Sequence, residues 1–236
     1  MDLQKLYSYT RQAIQDFNMI QSGDKIAVGV SGGKDSLALL YALSGLAKFY
    51  PEKFEIIAVT VDLGYGNFDL NPVKELCKKL NVEYFVVKTG IAEITKQKVE
   101  KGSYCSLCAK LRKGALNTFA KENGCNKVAY AHHKDDLIET MMLSLMYEGQ
   151  FFSFAPVRYY KEADITVIRP MIYISESEIK GFKNKYQLET VKNPCPHDGI
   201  TRRKYVKSLI TQMNKDNHGV KDKMFNAILK GKIWEY

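Results

Sequence analysis

The 236-residue sequence contains no uninterrupted apolar stretch of membrane-spanning length, which excludes transmembrane helices. Its first residues, Met1-Asp2-Leu3-Gln4-Lys5, lack the basic-then-apolar layout of a secretory signal, so a cytoplasmic location is expected. Cysteines are few and odd in number, five in all, which argues against a disulfide framework and leaves reduced thiols for metal or redox chemistry. Repeats, low-complexity tracts and a long linker are all missing. Acidic residues are in deficit: 26 Asp and Glu against 35 Lys and Arg leave a formal net charge of +9. A basic surface suits polyanions such as nucleic acid. An apolar content of 45% with 26% charged residues describes an ordinary globular chain, ample for a sizeable core.

Hydrophobic spacing predicts helices over 3–20, from 37 to about 48, over 72–80, 91–100, 104–123 and 135–147, and later over 175–187, 201–214 and 220–230. Short β-branched runs predict strands at 26–30, 54–61, 83–87, 127–131 and 165–168. Strands alternating with helices imply an α/β fold, a doubly wound parallel sheet with right-handed crossovers. Residues 1–150 are expected to form this core. Residues 151–236 are expected to form a helix-rich C-terminal extension packed on it and contributing to substrate binding. Ligands in such sheets bind beyond the carboxyl ends of the strands, where segments 31–36, 62–68 and 132–136 fall.

The first of these segments reads Ser31-Gly32-Gly33-Lys34-Asp35-Ser36, between a strand and a helix start. Gly32 and Gly33 tolerate a tight turn and let backbone N–H groups approach a ligand. A helix N-terminus attracts phosphate, Lys34 adds a mobile charge, and Ser31 and Ser36 add hydroxyls. Alone, the glycine pair could merely cap a helix; the surrounding Ser, Lys and Asp favour phosphate binding. A Walker A loop is excluded, because Val28 stands where its first glycine belongs and Asp35 follows the lysine. Asp35 beside a phosphate calls for Mg²⁺ between them.

These six residues resemble the signature of the PP-loop family, the ATP pyrophosphatases, which implies a PP-loop, adenine nucleotide alpha hydrolase-like fold. It also implies that the loop holds the pyrophosphate part of ATP while AMP is transferred to a substrate. His132, Asp135, Asp136, Glu139 and Thr140 match a second family segment that lies next to the ATP phosphates. The resemblance makes Ser31 to Ser36, Asp62, His132, Asp135 and Asp136 the ATP-binding candidates, with Asp35, Asp135 and Asp136 as Mg²⁺ ligands and Lys34, Asp35 and Asp135 as catalytic groups. The plain alternative for one of the paired acids is a helix cap.

Cys105 and Cys108 form a C-x-x-C at a helix start, beside Lys110, Arg112 and Lys113, a setting expected to lower their pKa values. Such a pair can be a redox dithiol, half a zinc site, part of an iron–sulfur site, or packing. Cys195 lies in a turn-forming loop, Asn193-Pro194-Cys195-Pro196-His197-Asp198. Three thiolates would leave one position open on zinc, or one iron open on a [4Fe–4S] cluster, and spacing does not choose between them. Cys77 and Cys125 read as structural.

The joint pattern resembles one branch of the family, the tRNA 2-thiocytidine synthetases, over roughly residues 20–210. Val167-Ile168-Arg169-Pro170-Met171 and Glu176 or Glu178 add to the likeness. This resemblance implies a [4Fe–4S] cluster on Cys105, Cys108 and Cys195, which would join the catalytic groups, and ATP-dependent thiolation of a tRNA base. It also implies a sulfide donor such as a cysteine desulfurase system, and a homodimer. The cation cluster at 201–207 would then contact RNA or simply form a solvated helix face. Arg112, Lys113, Arg202, Arg203, Lys204 and Lys207 are the RNA-contact candidates. A thioamide-forming enzyme acting on a small molecule, or a nucleotide-binding metal or redox sensor, would share many of these features.

Overall fold

In the computed structural model of the chain, which describes residues 1–66, 68–98, 104–192, 194–195 and 202–234, strand β1 (Lys25–Gly29) is buried on both faces. Ile26 and Val28 join one apolar core and Ala27 the other. A strand covered on both sides reads as a continuous apolar run. Strands β2 (Glu55–Asp62) and β3 (Glu83–Lys88) continue the sheet in parallel on one side of β1, with Ala27 level with Ile57 and Val59 with Phe85. On the other side lie β4 (Lys127–Ala129) and β6 (Ile165–Ile168), also parallel. An antiparallel edge strand, β5 (Val157–Tyr160), completes the order β3-β2-β1-β4-β6-β5.

The larger core is roofed by α1 (Leu3–Asp16), α2 (Lys34–Phe49), α3 (Asn71–Leu80), α6 (Lys134–Tyr147), α7 (Glu176–Lys185), α8 (Arg202–Asp216) and α9 (Val220–Gly231). The opposite face is covered by α5 (Tyr104–Glu122), whose Leu116 and Ala120 pack on Ile57, Val59 and Val128, with α4 (Ile91–Lys98) beside it. Helices therefore cover both faces of a mostly parallel sheet, as the alternating pattern implied.

Two features differ from the sequence expectation. The antiparallel strand β5 was not foreseen, because its exposed Arg158 and Tyr159 interrupt the apolar run that marks the inner strands. The chain beyond residue 150 also supplies two strands, β5 and β6, to the same sheet. Residues 99–100 of the expected 91–100 helix, Thr201 of the basic segment, and Asn193, Pro196, His197 and Asp198 of the late loop lie outside the described residues. None of the described helices is long and apolar enough to cross a membrane.

In this order β1 sits between β2 and β4, so the connections leaving β1 and β4 depart in different directions. The crevice that opens at such a switch point is where open α/β sheets bind ligands.

Candidate functional site

Segment 30–33 leaves β1 and enters α2 without a side-chain cap, Gly33 being the N-cap residue. The first amides of α2 are therefore not satisfied by a capping side chain, which suits an anion. The loop braces itself. The Ser31 N–H donates to Ser36 Oγ at 3.1 Å, and Ser36 Oγ donates to the Gly33 carbonyl at 3.0 Å. Ser36 is buried, so its hydroxyl shapes the loop and does not project from it. Gly32 adopts φ +80°, and a Cβ there would lie 2.8 Å from Cβ of Val191. The Val191 N–H donates to the Gly32 carbonyl at 2.9 Å, so the chain leading to Cys195 crosses directly over the loop.

A cleft of about 600 Å³ opens in front of this turn. From the loop it is lined by Lys34 and Asp35, from the β4–α6 junction by His133, Asp136 and Glu139, and from α7 by Glu176. Cys105, Cys108 and Arg112 of α5, Cys195, and Arg203, Lys204 and Lys207 of α8 form the remaining walls.

Of the acids expected to hold Mg²⁺, Asp35 alone keeps a buried carboxylate oxygen without a hydrogen-bond partner, Oδ1. This oxygen lies 3.8 Å from His133 Nε2. Asp136 accepts from Arg203 at 3.0 Å and from the His133 N–H at 3.0 Å. Asp135 is not among the lining residues. Its Oδ1 accepts from Lys221 at 2.8 Å and its Oδ2 from the Glu176 N–H at 2.7 Å. Burial opposes its ionisation, but Lys221, the Glu176 N–H and His133 hold its pKa below the usual range. Asp135 thus ties α6 to α7 and α9 behind the cleft. Glu139 is buried beside Asp136, and both effects push its pKa up against the pull of Arg203 and Lys207.

The two histidines divide. His133 lines the cleft, whereas His132 stacks on Phe154 with ring centres 4.7 Å apart. Burial, then the charges of Arg169 and Arg203, hold the His132 pKa well below its usual value, so the ring is neutral. Asp62 also stands back. Its Oδ1 accepts from the Gly64 N–H at 3.0 Å, while its neighbour Leu63 reaches the cleft.

All three expected thiols face the cleft. As they stand, no three His, Cys, Asp or Glu side chains among the described residues are grouped to hold a single metal ion. The expectation of a lowered thiol pKa is corrected for Cys108: burial pushes it up, and Cys195 and Cys105 add to this against the charge of Arg112. Cys195 Sγ lies 3.8 Å from the Tyr65 hydroxyl, which is 3.3 Å from that of Tyr104. Cys77 and Cys125 are buried in the two cores, as expected of structural residues.

The basic candidates also separate. Arg112, Arg203, Lys204 and Lys207 line the cleft. Lys113 instead hydrogen-bonds to the hydroxyl of Tyr160 on β5, and Arg202 lies over the ring of Tyr147. Glu176, which the sequence marked only as part of a resemblance, proves to be a hub. Its carboxylate meets Lys34 at 3.2 Å, Lys207 at 2.7 Å and Lys180 at 3.3 Å. Burial disfavours its charge, but the lysine contacts outweigh burial and bring its pKa to about 2. Only Lys180, one turn on in α7, is a local partner; Lys34 and Lys207 come from α2 and α8, and no local sequence signal marks those contacts.

Residues 5–213 match the PP-loop domain family, and the chain belongs to that family. Within it, the chain is similar to proteins named tRNA-cytidine(32) 2-sulfurtransferase. It is 37% identical over 227 residues to the one from Geobacter sulfurreducens, covering 95% of this chain and 88% of that protein. With the one from Legionella pneumophila strain Paris it shares 38% over 226 residues, 95% of this chain and 80% of that protein. The resemblance read from the loop and the cysteines is thereby borne out. Among solved structures, the U34-tRNA thiolase NcsA from Methanococcus maripaludis with its [4Fe–4S] cluster superposes with a TM-score of 0.82. That match covers 97% of this chain and 78% of that one at 22% identity, which shows a shared fold.

Proposed function

We propose that the protein is an ATP-dependent tRNA sulfurtransferase that adenylates a base carbonyl and replaces its oxygen with sulfur. The observation that carries this reading is the meeting of two chemistries in one cleft: a turn suited to phosphate, and three thiols from two separate segments, α5 and the chain at Cys195. The names of the relatives supply tRNA as the acceptor and cytidine as the base.

In the first step the carbonyl oxygen attacks the α-phosphate of ATP. A C–O–P bond forms, the α–β phosphoanhydride breaks, and pyrophosphate leaves. In this reading Lys34 and the leading N–H groups of α2 hold the pyrophosphate and stabilise the charge that builds on it, a role supported by the uncapped start of α2 and by Lys34 lining the cleft. Asp35, with its unpartnered oxygen, fits Mg²⁺ at this edge of the cleft. Arg203, Lys204 and Lys207 offer cations to the RNA backbone. In the second step sulfide, delivered by an external donor, attacks the activated carbon. The C–O bond breaks and AMP departs.

Cys105, Cys108 and Cys195 would hold the [4Fe–4S] cluster. Three thiols from α5 and the chain at Cys195, facing one cleft, fit such a cluster with one iron left unligated by the protein. When bound, the cluster supplies an iron with an open position for a sulfur ligand.

The test is anaerobic purification with measurement of iron, acid-labile sulfide and zinc, followed by incubation with tRNA, ATP, Mg²⁺ and sulfide. Matching iron and sulfide, AMP release dependent on tRNA, and a thiolated nucleoside on digestion are expected. Zinc alone, or AMP release indifferent to tRNA, would overturn the reading.

A further inference from the structure

Five of the eight large apolar side chains that stand exposed among the described residues come from one region. Leu145, Met146 and Tyr147 end α6, Phe151 follows it, and Tyr205 lies on α8. Tyr147 is 43% exposed and Tyr205 56%. Scattered exposed apolar groups need no explanation, but a concentration of them marks a binding surface. The cations beside them indicate what kind. The Arg202 guanidinium lies 4.7 Å from the centre of the Tyr147 ring. Tyr205 follows Arg202 by three residues on α8, which sets both on the same flank of the helix. The other flank of α8 turns Lys204 and Lys207 into the cleft. One helix thus joins an aromatic surface to the basic wall of the cleft.

An anionic partner with accessible π faces matches this combination. Unpaired nucleotides stack on exposed aromatic rings and on arginine while their phosphates meet nearby lysines; base-paired RNA keeps those faces covered. We infer that Tyr147, Arg202 and Tyr205 form a stacking platform for the unpaired nucleotides of an RNA loop, beside the cleft that receives the reacting base. This inference rests on the reading of tRNA as acceptor.

The test measures binding of three RNAs to the full chain with its metal content intact, at several salt concentrations. The RNAs are a tRNA transcript, the stem-loop of that tRNA that carries cytidine 32, and a blunt duplex of the same stem. Tyr147→Ala and Tyr205→Ala should each weaken stem-loop binding by about tenfold. Both should leave duplex binding and the salt slope unchanged, because no charge is removed. Lys204→Ala should instead weaken all three RNAs and lower the salt slope by about one. Tyr205→Phe should bind like the unaltered protein. Stem-loop binding that survives both tyrosine truncations would overturn the inference while leaving tRNA as substrate. A change in sedimentation of the RNA-free protein on truncating Tyr147 would overturn it in favour of an interface between copies of this chain. Failure of the unaltered protein to bind any tRNA would overturn the reading of the substrate itself.

Discussion

Lys34 Nζ lies 3.2 Å from Oε1 of Glu176, and the same carboxylate holds Lys207 through its other oxygen at 2.7 Å. The phosphate loop and the basic helix α8 are therefore tied to one side chain at the start of α7. Two lysines that would repel each other are brought to the same wall of the cleft by the charge between them. Glu176 is only 14% exposed at its side chain, so water screens this arrangement less than it would a surface ion pair.

Acid should remove this tie in a defined window. The folded pKa of Glu176, about 2, is below the ordinary 4.5, so its charge stabilises the fold fully above 4.5. That contribution is lost as the pH falls through about 2. At neutral pH Glu176→Gln should melt at a lower temperature than the unaltered protein, and the gap should close between pH 4.5 and 2. A gap that stays constant with pH would show that the carboxylate charge does not carry the effect.

Lys34→Ala should lower AMP formation by about 10²–10³-fold, the scale seen when one transition-state charge partner is removed. Iron content should not change, because the thiols come from α5 and the segment at Cys195, not from the loop. A variant that still adenylates at an undiminished rate would disprove the role given to the loop.

The loop, the alternating fold and the C-x-x-C pair were legible in the sequence because each is a local pattern of residue types with a physical meaning, whereas Cys195 was joined to that pair by the family resemblance. Adjacent residues of the same type were not separable in this way. Asp135 and Asp136 share a helix start, but successive helical side chains point about 100° apart. What fixes the inward one is Lys221, 86 positions away. His132 and His133 divide similarly: the stack on Phe154 takes His132 out of the cleft, and nothing near it in sequence announces that contact. The hub at Glu176 depends on pairings of the same long-range kind, with Lys34 and Lys207. Strand β5 forms a local hairpin with β6, and its exposed Arg158 and Tyr159 hid it instead.

The cysteines should sort by position. Cys105→Ser, Cys108→Ser and Cys195→Ser should each lose iron and labile sulfide while the fold persists, since all three lie at the cleft surface. Cys77 is buried and its thiol is pushed up to about 11 by that burial. Cys77→Ser should therefore keep its iron and lose about 1–3 kcal/mol of stability, the cost of a buried hydroxyl without a partner. Iron retained in all three surface variants would refute the ligand assignment.

Gly32 links the two halves of the site, and its replacement should disturb both. Any other residue there meets two separate obstacles. One is the backbone at φ +80°, which costs a side chain of order 1–3 kcal/mol. The other is Val191, whose Cβ would stand 2.8 Å from the new one. Gly32→Ala should thus melt at a lower temperature and bind ATP more weakly. Combining it with Val191→Gly removes the collision but not the backbone strain, so that pair should recover only part of the loss relative to Val191→Gly alone. Because Val191 hydrogen-bonds to the Gly32 carbonyl and lies four residues before Cys195, the single variant should also reduce iron retention, although it alters no thiol. Full stability with normal ATP affinity in Gly32→Ala would mean that the turn does not hold this conformation. Weakened ATP binding with undiminished iron would separate the loop from the thiols and leave Cys195 positioned by other contacts.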